Sequence, residues 1–238
     1  MKSLFDGFSL AINMLTILPF FKTHRFFKGI NGYAVMLYPL VGFLLGSILW
    51  LLHDLLSGHI PSIHLNIIIF SMLVLFTGAL HLDGFCDTID GLFVSKDKAL
   101  QVMKDPHIGG MGMIFGIVFL ILKASAFVVF ESFYLLPFVL ALSRFNATLA
   151  IYFYPYITKK GMGSLAKDEF DRSKLIISFL IVFIFCLFNS FALLVISLFV
   201  LLVVGRFFTK RYGGFSGDMY GFLIEFSELI LLNAVLIQ

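Results

Sequence analysis

The chain has 238 residues, 60% of them hydrophobic and only 13% charged, with a formal net charge of +3. A soluble domain carries about 25% charged residues, so these proportions and a mean hydropathy of +1.03 exclude one and define an integral membrane protein. No basic arm or patch supports a nucleic-acid partner, and two cysteines, Cys86 and Cys186, cannot form a disulfide framework.

In chain order, the first apolar stretch, at 8–20, is too short to span a bilayer and is followed by Lys22, Arg25 and Lys28. It reads as a helix lying in the interface or dipping into it, and no cleaved signal peptide is expected. Runs long enough to span follow at roughly 34–53, 64–82, 108–130, 134–156 and 218–237. The run at 175–204 is too long for one ordinary span, and Asn189-Ser190 near its middle offers a turn between two short helices. The expected fold is all-α: a polytopic helical bundle of seven transmembrane helices, six as the runner-up, forming one membrane domain.

Every Lys and Arg except Lys123 and Arg144 falls in four segments: the N-terminal one, those after the second and fourth spans, and the one before the last. The intervening segments, around 54–63, 131–133 and 189–190, hold none. By the positive-inside rule the N-terminus is expected to be cytoplasmic, as are the polar motifs.

The densest of those motifs runs from His81 to Gly91 and places Asp83, Asp87 and Asp90 at i, i+4 and i+7. At about 100° per residue these carboxylates share one helix face, where like charges repel. A solvated acidic helix end would account for them. So would a divalent cation such as Mg²⁺, which takes one or two protein carboxylates and completes its shell with phosphate oxygens.

Next, Lys104, Asp105, Pro106 and His107 precede the glycine-rich entry Gly109-Gly110-Met111-Gly112 into the third span. Free N–H groups at such a start can hold an anion, and Lys104 and His107 would add positive charge; an ordinary charged loop with small residues packing between helices is the equal alternative. Lys159-Lys160-Gly161-Met162-Gly163-Ser164-Leu165-Ala166-Lys167 could form a phosphate loop, although topology alone also requires basic residues there. Asp218 opens the last span, which carries Glu225 about 10 Å and Glu228 about 15 Å along its axis. Arg144 in the fourth span reaches a similar depth and is expected to pair with Glu225 or Glu228, while Lys123 has no evident partner. His24, His53, His59 and His64 read as interface residues. No Gly-x-Ser-x-Gly, Walker-type, Cys-x-x-Cys or His-Glu-x-x-His motif occurs, so hydrolase, ATPase and zinc chemistry lack support.

The run Thr77-Gly78-Ala79-Leu80-His81-Leu82-Asp83-Gly84-Phe85-Cys86-Asp87-Thr88-Ile89-Asp90-Gly91 closely resembles the signature of the cobalamin synthase family, the adenosylcobinamide-GDP ribazoletransferases. Leu15-Thr16-Ile17-Leu18-Pro19, Tyr38-Pro39-Leu40-Val41-Gly42, Met103-Lys104-Asp105, Ser143-Arg144 and Gly217-Asp218 through Glu225 and Glu228 resemble its other motifs in order. The departures are Cys86, where the family usually has alanine, and Pro106-His107, where it often has serine and arginine.

The resemblance implies a Mg²⁺-dependent transfer. α-Ribazole, or its 5′-phosphate, attacks the corrinoid-side phosphorus of adenosylcobinamide-GDP; GMP leaves, and adenosylcobalamin or its phosphate forms. On this reading Asp83, Asp87 and Asp90 hold the metal, and His81, Lys104, His107, Arg144, Lys167, Glu225 and Glu228 are substrate-binding candidates. Asp105 or Asp218 would accept the proton of the attacking hydroxyl. The implied partners are the two substrates and the lipid bilayer, with room for a homo-oligomer or a complex with other cobalamin-assembly enzymes. The rivals are another Mg²⁺-dependent membrane transferase, of the CDP-alcohol phosphotransferase or prenyltransferase kind, and a cation transporter with Lys123, Glu225 and Glu228 lining its path.

Overall fold

The computed structural model describes residues 2–19, 26–158, 161–187 and 191–237. Lys22, His24, Arg25, Lys159, Lys160 and the Asn189-Ser190 turn therefore lie outside the described residues. The described residues form helices with no β-strand; a single 3-10 turn, Phe133–Leu135, precedes α8.

The N-terminal helix α1 (Lys2–Leu15) buries Leu10, Ala11, Ile12 and Leu15 and packs on the short α2 (Ile30–Met36), with Gly7 over Tyr33. At 14 residues it cannot cross a bilayer, in line with its reading as an interfacial segment. The first long helix, α3, runs from Tyr38–Leu56 rather than from residue 34. Pro39 explains the difference: it has no N–H to continue a helix from α2, and it fits the first turn of a new one, so the chain breaks at Leu37.

A second break reshapes the acidic stretch. Helix α4 (Ser62–Phe76) and helix α5 (Leu80–Leu92) meet at an angle of 79° rather than forming one span that ends in carboxylates. Thr77 spends its hydroxyl on the Leu73 and Val74 carbonyls, closing α4, and Gly78 and Ala79 both adopt left-handed backbone (φ 61° and 54°). That conformation is costly for alanine, and the N-terminal loop reinforces it: the Ile17 N–H donates to the Phe76 carbonyl at 2.8 Å. Side-chain periodicity carries no trace of such a corner.

Helix α6 (Lys96–Val102) leads to α7 (Gly110–Val128), followed by α8 (Leu136–Phe153), α9 (Met162–Glu169), α10 (Arg172–Leu187), α11 (Phe191–Tyr212) and α12 (Gly217–Ile237). Five of these stretches, α3, α7, α8 with the turn before it, α11 and α12, are long and apolar enough to cross a membrane, and the bent α4–α5 pair would make six. A seventh would require α10, of which 16 residues are described. The described residues of the long apolar run lie in α10 and α11, and the turn expected between them falls outside the described residues.

Helix α8 is the central post, buried along almost its whole length between α3 and α12. Small residues allow the approach: a Cβ at Gly42 would lie 2.3 Å from the Leu140 carbonyl oxygen, and one at Gly46 would lie 2.5 Å from the Pro137 Cα. In lipid, where no water drives helices together, such backbone contact is the main source of packing energy. Paired bonds between Ile157 N–H and Phe215 O and between Phe215 N–H and Pro155 O (both 2.9 Å) tie the loop after α8 to the entrance of α12.

Candidate active site

Helices α5 and α12 cross at their glycines. A Cβ at Gly84 would lie 2.8 Å from the Asp218 carbonyl oxygen, and one at Gly221 would lie 3.0 Å from the His81 carbonyl oxygen. This contact brings Asp218, from the far end of the sequence, into electrostatic reach of Asp83 and Asp87. Beside the crossing lies a cavity of about 310 Å³, whose wall includes His81, Asp83, Asp218, Tyr38, Tyr220 and Ile224. Asp83 is exposed and Asp87 half-buried.

The third carboxylate of the acidic helix does something different. Asp90 is buried, and it accepts the Gly109 N–H at 2.8 Å through Oδ2 and the Gly112 N–H at 2.7 Å through Oδ1. It therefore caps α7 from a neighbouring helix, where a negative charge also suits the dipole. The N–H groups expected to be free for a phosphate are, at Gly109 and Gly112, taken by this carboxylate. A Cβ at Gly109 or Gly112 would come within 2.4 Å or 2.3 Å of its oxygens, so close approach explains both glycines.

Lys104, Asp105, His107 and Lys167 separate into three groups. Lys104 is exposed, near enough to Asp218 for its charge to act there. His107 and Asp105 bind each other, through the His107 N–H at 3.0 Å and its Nδ1 at 2.8 Å, on an exposed loop away from the cavity wall. The His107 backbone N–H, then its ring, holds the Asp105 carboxyl below the usual carboxylate range, which makes it the weaker proton acceptor beside Asp218. Lys167 donates to the Tyr152 carbonyl at 2.6 Å near the end of α8, so its ammonium is a helix-end cation; α9 contributes Met162, Gly163 and Ala166 to the cavity wall instead.

Arg144, Glu225 and Glu228 do meet, with Lys123 as the fourth member. The Lys123 ammonium lies 2.6 Å from Glu225 and 2.5 Å from Glu228, and the Arg144 guanidinium pairs with the other oxygen of Glu228 and with the Ser143 hydroxyl. Two cations and two anions thus share one buried cluster joining α7, α8 and α12. The sequence offered the depth of each charge but not their rotations, so the partner of Lys123 was invisible there.

Two polar groups of the cavity wall have no partner among the described residues. His81 is 4% exposed with both ring nitrogens unbonded, and Tyr220 is 8% exposed with its hydroxyl unbonded. Tyr220 drew no notice in the sequence, where a tyrosine inside an apolar helix looks like packing.

A cavity with carboxylates at its wall and unbonded polar groups, set inside a helical bundle with a neutralised ion cluster, defines a membrane-embedded protein built to hold a polar ligand. The chain belongs to the cobalamin-5-phosphate synthase family, whose family model matches residues 7–236. Among similar chains are adenosylcobinamide-GDP ribazoletransferases of Acinetobacter baumannii (strain ACICU), 34% identical and covering 94% of both chains, and of Desulforamulus reducens, 33% identical over 98% of this chain and 97% of the other. That of Desulfitobacterium hafniense (strain Y51) is 29% identical over 94% of this chain and 93% of its own. No solved structure matches.

Proposed function

We propose that this chain transfers the adenosylcobinamide-phosphate part of adenosylcobinamide-GDP to α-ribazole or its 5′-phosphate, releasing GMP and closing the nucleotide loop of a cobalamin. The observation that supports it most directly is the meeting of Asp83, Asp87 and Asp218 beside the cavity, inside a chain of this family. The oxygen of the acceptor hydroxyl forms the new bond to the corrinoid-side phosphorus, the bond to the GMP oxygen breaks, and Asp218 takes the hydroxyl proton. Lys104 offers a positive charge to the leaving phosphate.

The metal reading rests on donor chemistry. Among the described residues no three His, Cys, Asp or Glu side chains form a ready-made metal group. An incomplete set of hard carboxylate oxygens, to be finished by substrate phosphate, is nevertheless how Mg²⁺ is usually held, and Asp83, Asp87 and Asp218 fit it. Asp90, with both oxygens bonded to backbone, is better placed to fix α5, which carries Asp83 and Asp87, against the start of α7. When bound, Mg²⁺ would neutralise diphosphate charge and stabilise the departing GMP.

The site is assigned to the cytoplasmic face of the cell membrane, from the distribution of lysine and arginine. A transport path is less well supported, because Lys123, Glu225 and Glu228 are spent on one another and on Arg144. The test is turnover: purified protein in detergent or liposomes receives adenosylcobinamide-GDP, α-ribazole and Mg²⁺, and GMP and corrinoid product are quantified together. Equimolar, metal-dependent release of both is expected. Folded protein that yields neither with either acceptor form would end the reading.

A further inference from the structure

The cavity has a shape and chemistry that select among the parts of the two substrates. Its volume of about 310 Å³ is far too small for a corrin ring with its rim of amides. It is mostly apolar, with Ala147, Ile151, Ala166 and Ile224 in its wall. A flat heterocycle with one free ring nitrogen matches far better. The wall holds unbonded polar groups of the kind such a nitrogen needs: the Tyr220 hydroxyl, and an imidazole at His81 that in its neutral form carries one donor and one acceptor. Both side chains are more than nine-tenths buried, so leaving them unbonded is costly unless a ligand fills the space.

The Tyr220 ring is also held in place. It stacks on Phe215 at 5.3 Å with an 11° tilt and on Tyr156 at 6.1 Å with a 12° tilt. Asp83 and Asp218 share the same wall, so a ligand seated among the apolar residues can present its sugar to the carboxylates.

We propose that this cavity seats the benzimidazole base of the acceptor nucleoside, with Tyr220 and His81 supplying its polar contacts and the ribose directed toward Asp83 and Asp218. This rests on the transferase reading and adds to it the seat of one substrate.

The experiment measures KM separately for α-ribazole and for adenosylcobinamide-GDP in three proteins: wild type, Tyr220→Phe and Ala147→Leu. Tyr220→Phe keeps the stacked ring and removes only the hydroxyl. It should raise the acceptor KM roughly five- to tenfold and leave the donor KM within about twofold. Ala147→Leu narrows the cavity and should penalise the 5,6-dimethylbenzimidazole riboside at least about tenfold more than the unsubstituted benzimidazole riboside. His81→Asn, checked for folding by size exclusion, should act on the acceptor in the same direction as Tyr220→Phe. A donor KM that rises while the acceptor KM holds would overturn the proposal. So would variants that lose only kcat, or an Ala147→Leu protein blind to the size of the base. A wild-type protein without turnover would instead bring down the transferase reading, and this one with it.

Discussion

Asp90 accepts the Gly112 N–H at 2.7 Å, so one carboxylate of the acidic helix is committed to the start of the next helix. Asp83, seven residues earlier on the same face, has no such bond among the described residues and stands open at the cavity. The two aspartates should therefore fail in different ways. Asp90→Ala should cost about 1–3 kcal/mol of stability, since it leaves two N–H groups at the entry of α7 without their acceptor. Asp83→Asn should melt within about 1 °C of wild type while turnover falls at least about a hundredfold. Thermal unfolding in detergent beside the GMP assay separates them, and equal melting losses would contradict this division.

Gly84 is fixed by the same crossing that builds the site. A methyl group there would lie 2.8 Å from a backbone oxygen and 3.1 Å from the Cα of Asp218, neither of which can rotate aside. Gly84→Ala should force α5 and α12 apart, cutting turnover more than tenfold with the protein still inserted in the membrane. Retained activity would show that the helices are less closely coupled than their contact requires.

The buried ion cluster lends itself to a double-mutant cycle. Lys123→Met alone leaves Glu225 and Glu228 short of a cation and should destabilise by about 3–5 kcal/mol. Adding Glu225→Gln should restore a large part of that loss, because the second change removes the stranded charge. Additive losses, measured by unfolding in mixed micelles, would mean that the two side chains do not interact.

Glu169 provides a pH signature outside the membrane. Its carboxylate accepts the Asn31 N–H at 2.9 Å and the Asn31 amide at 2.8 Å, tying α9 to the start of α2. Burial alone would raise its pKa; hydrogen bonds from Gly29, Asn31 and Gly32 outweigh that and hold it below its ordinary value of 4.5. A depressed carboxylate stabilises the fold fully above its unfolded pKa, and the gain is lost as pH falls through the folded value. Stability should thus fall between about pH 4.5 and the lower folded pKa, and Glu169→Gln should flatten that limb. An unchanged acid limb in the variant would show that the carboxylate contributes nothing.

Much of this architecture can be read from the residues, and what cannot has a common cause. The apolar runs mark the spans, and the depth of Arg144 anticipates its partner at Glu228. The spacing of Asp83, Asp87 and Asp90 announces a shared face, yet it cannot say that α7 will arrive beside Asp90 with Gly109 and Gly112 foremost. The corner at Thr77–Ala79 escapes for a similar reason. It is held by Ile17 from another segment, and left-handed alanine is contrary to local preference. Asp218 joins the acidic residues only because Gly84 and Gly221 let two helices touch. Local pattern gives elements and faces; meetings between distant segments depend on packing that no window of sequence contains.

The order of the four charges along the chain sets a problem for biogenesis. Glu228 follows Lys123 by 105 residues and Arg144 by 84, so the ribosome delivers both cations to the membrane well before the carboxylates that neutralise them. Until α12 arrives, α7 and α8 each carry a bare charge that hydrocarbon tolerates poorly. The cluster is therefore complete only once the helix bearing Glu225, Glu228 and Asp218 has entered, and the same arrival completes the cavity.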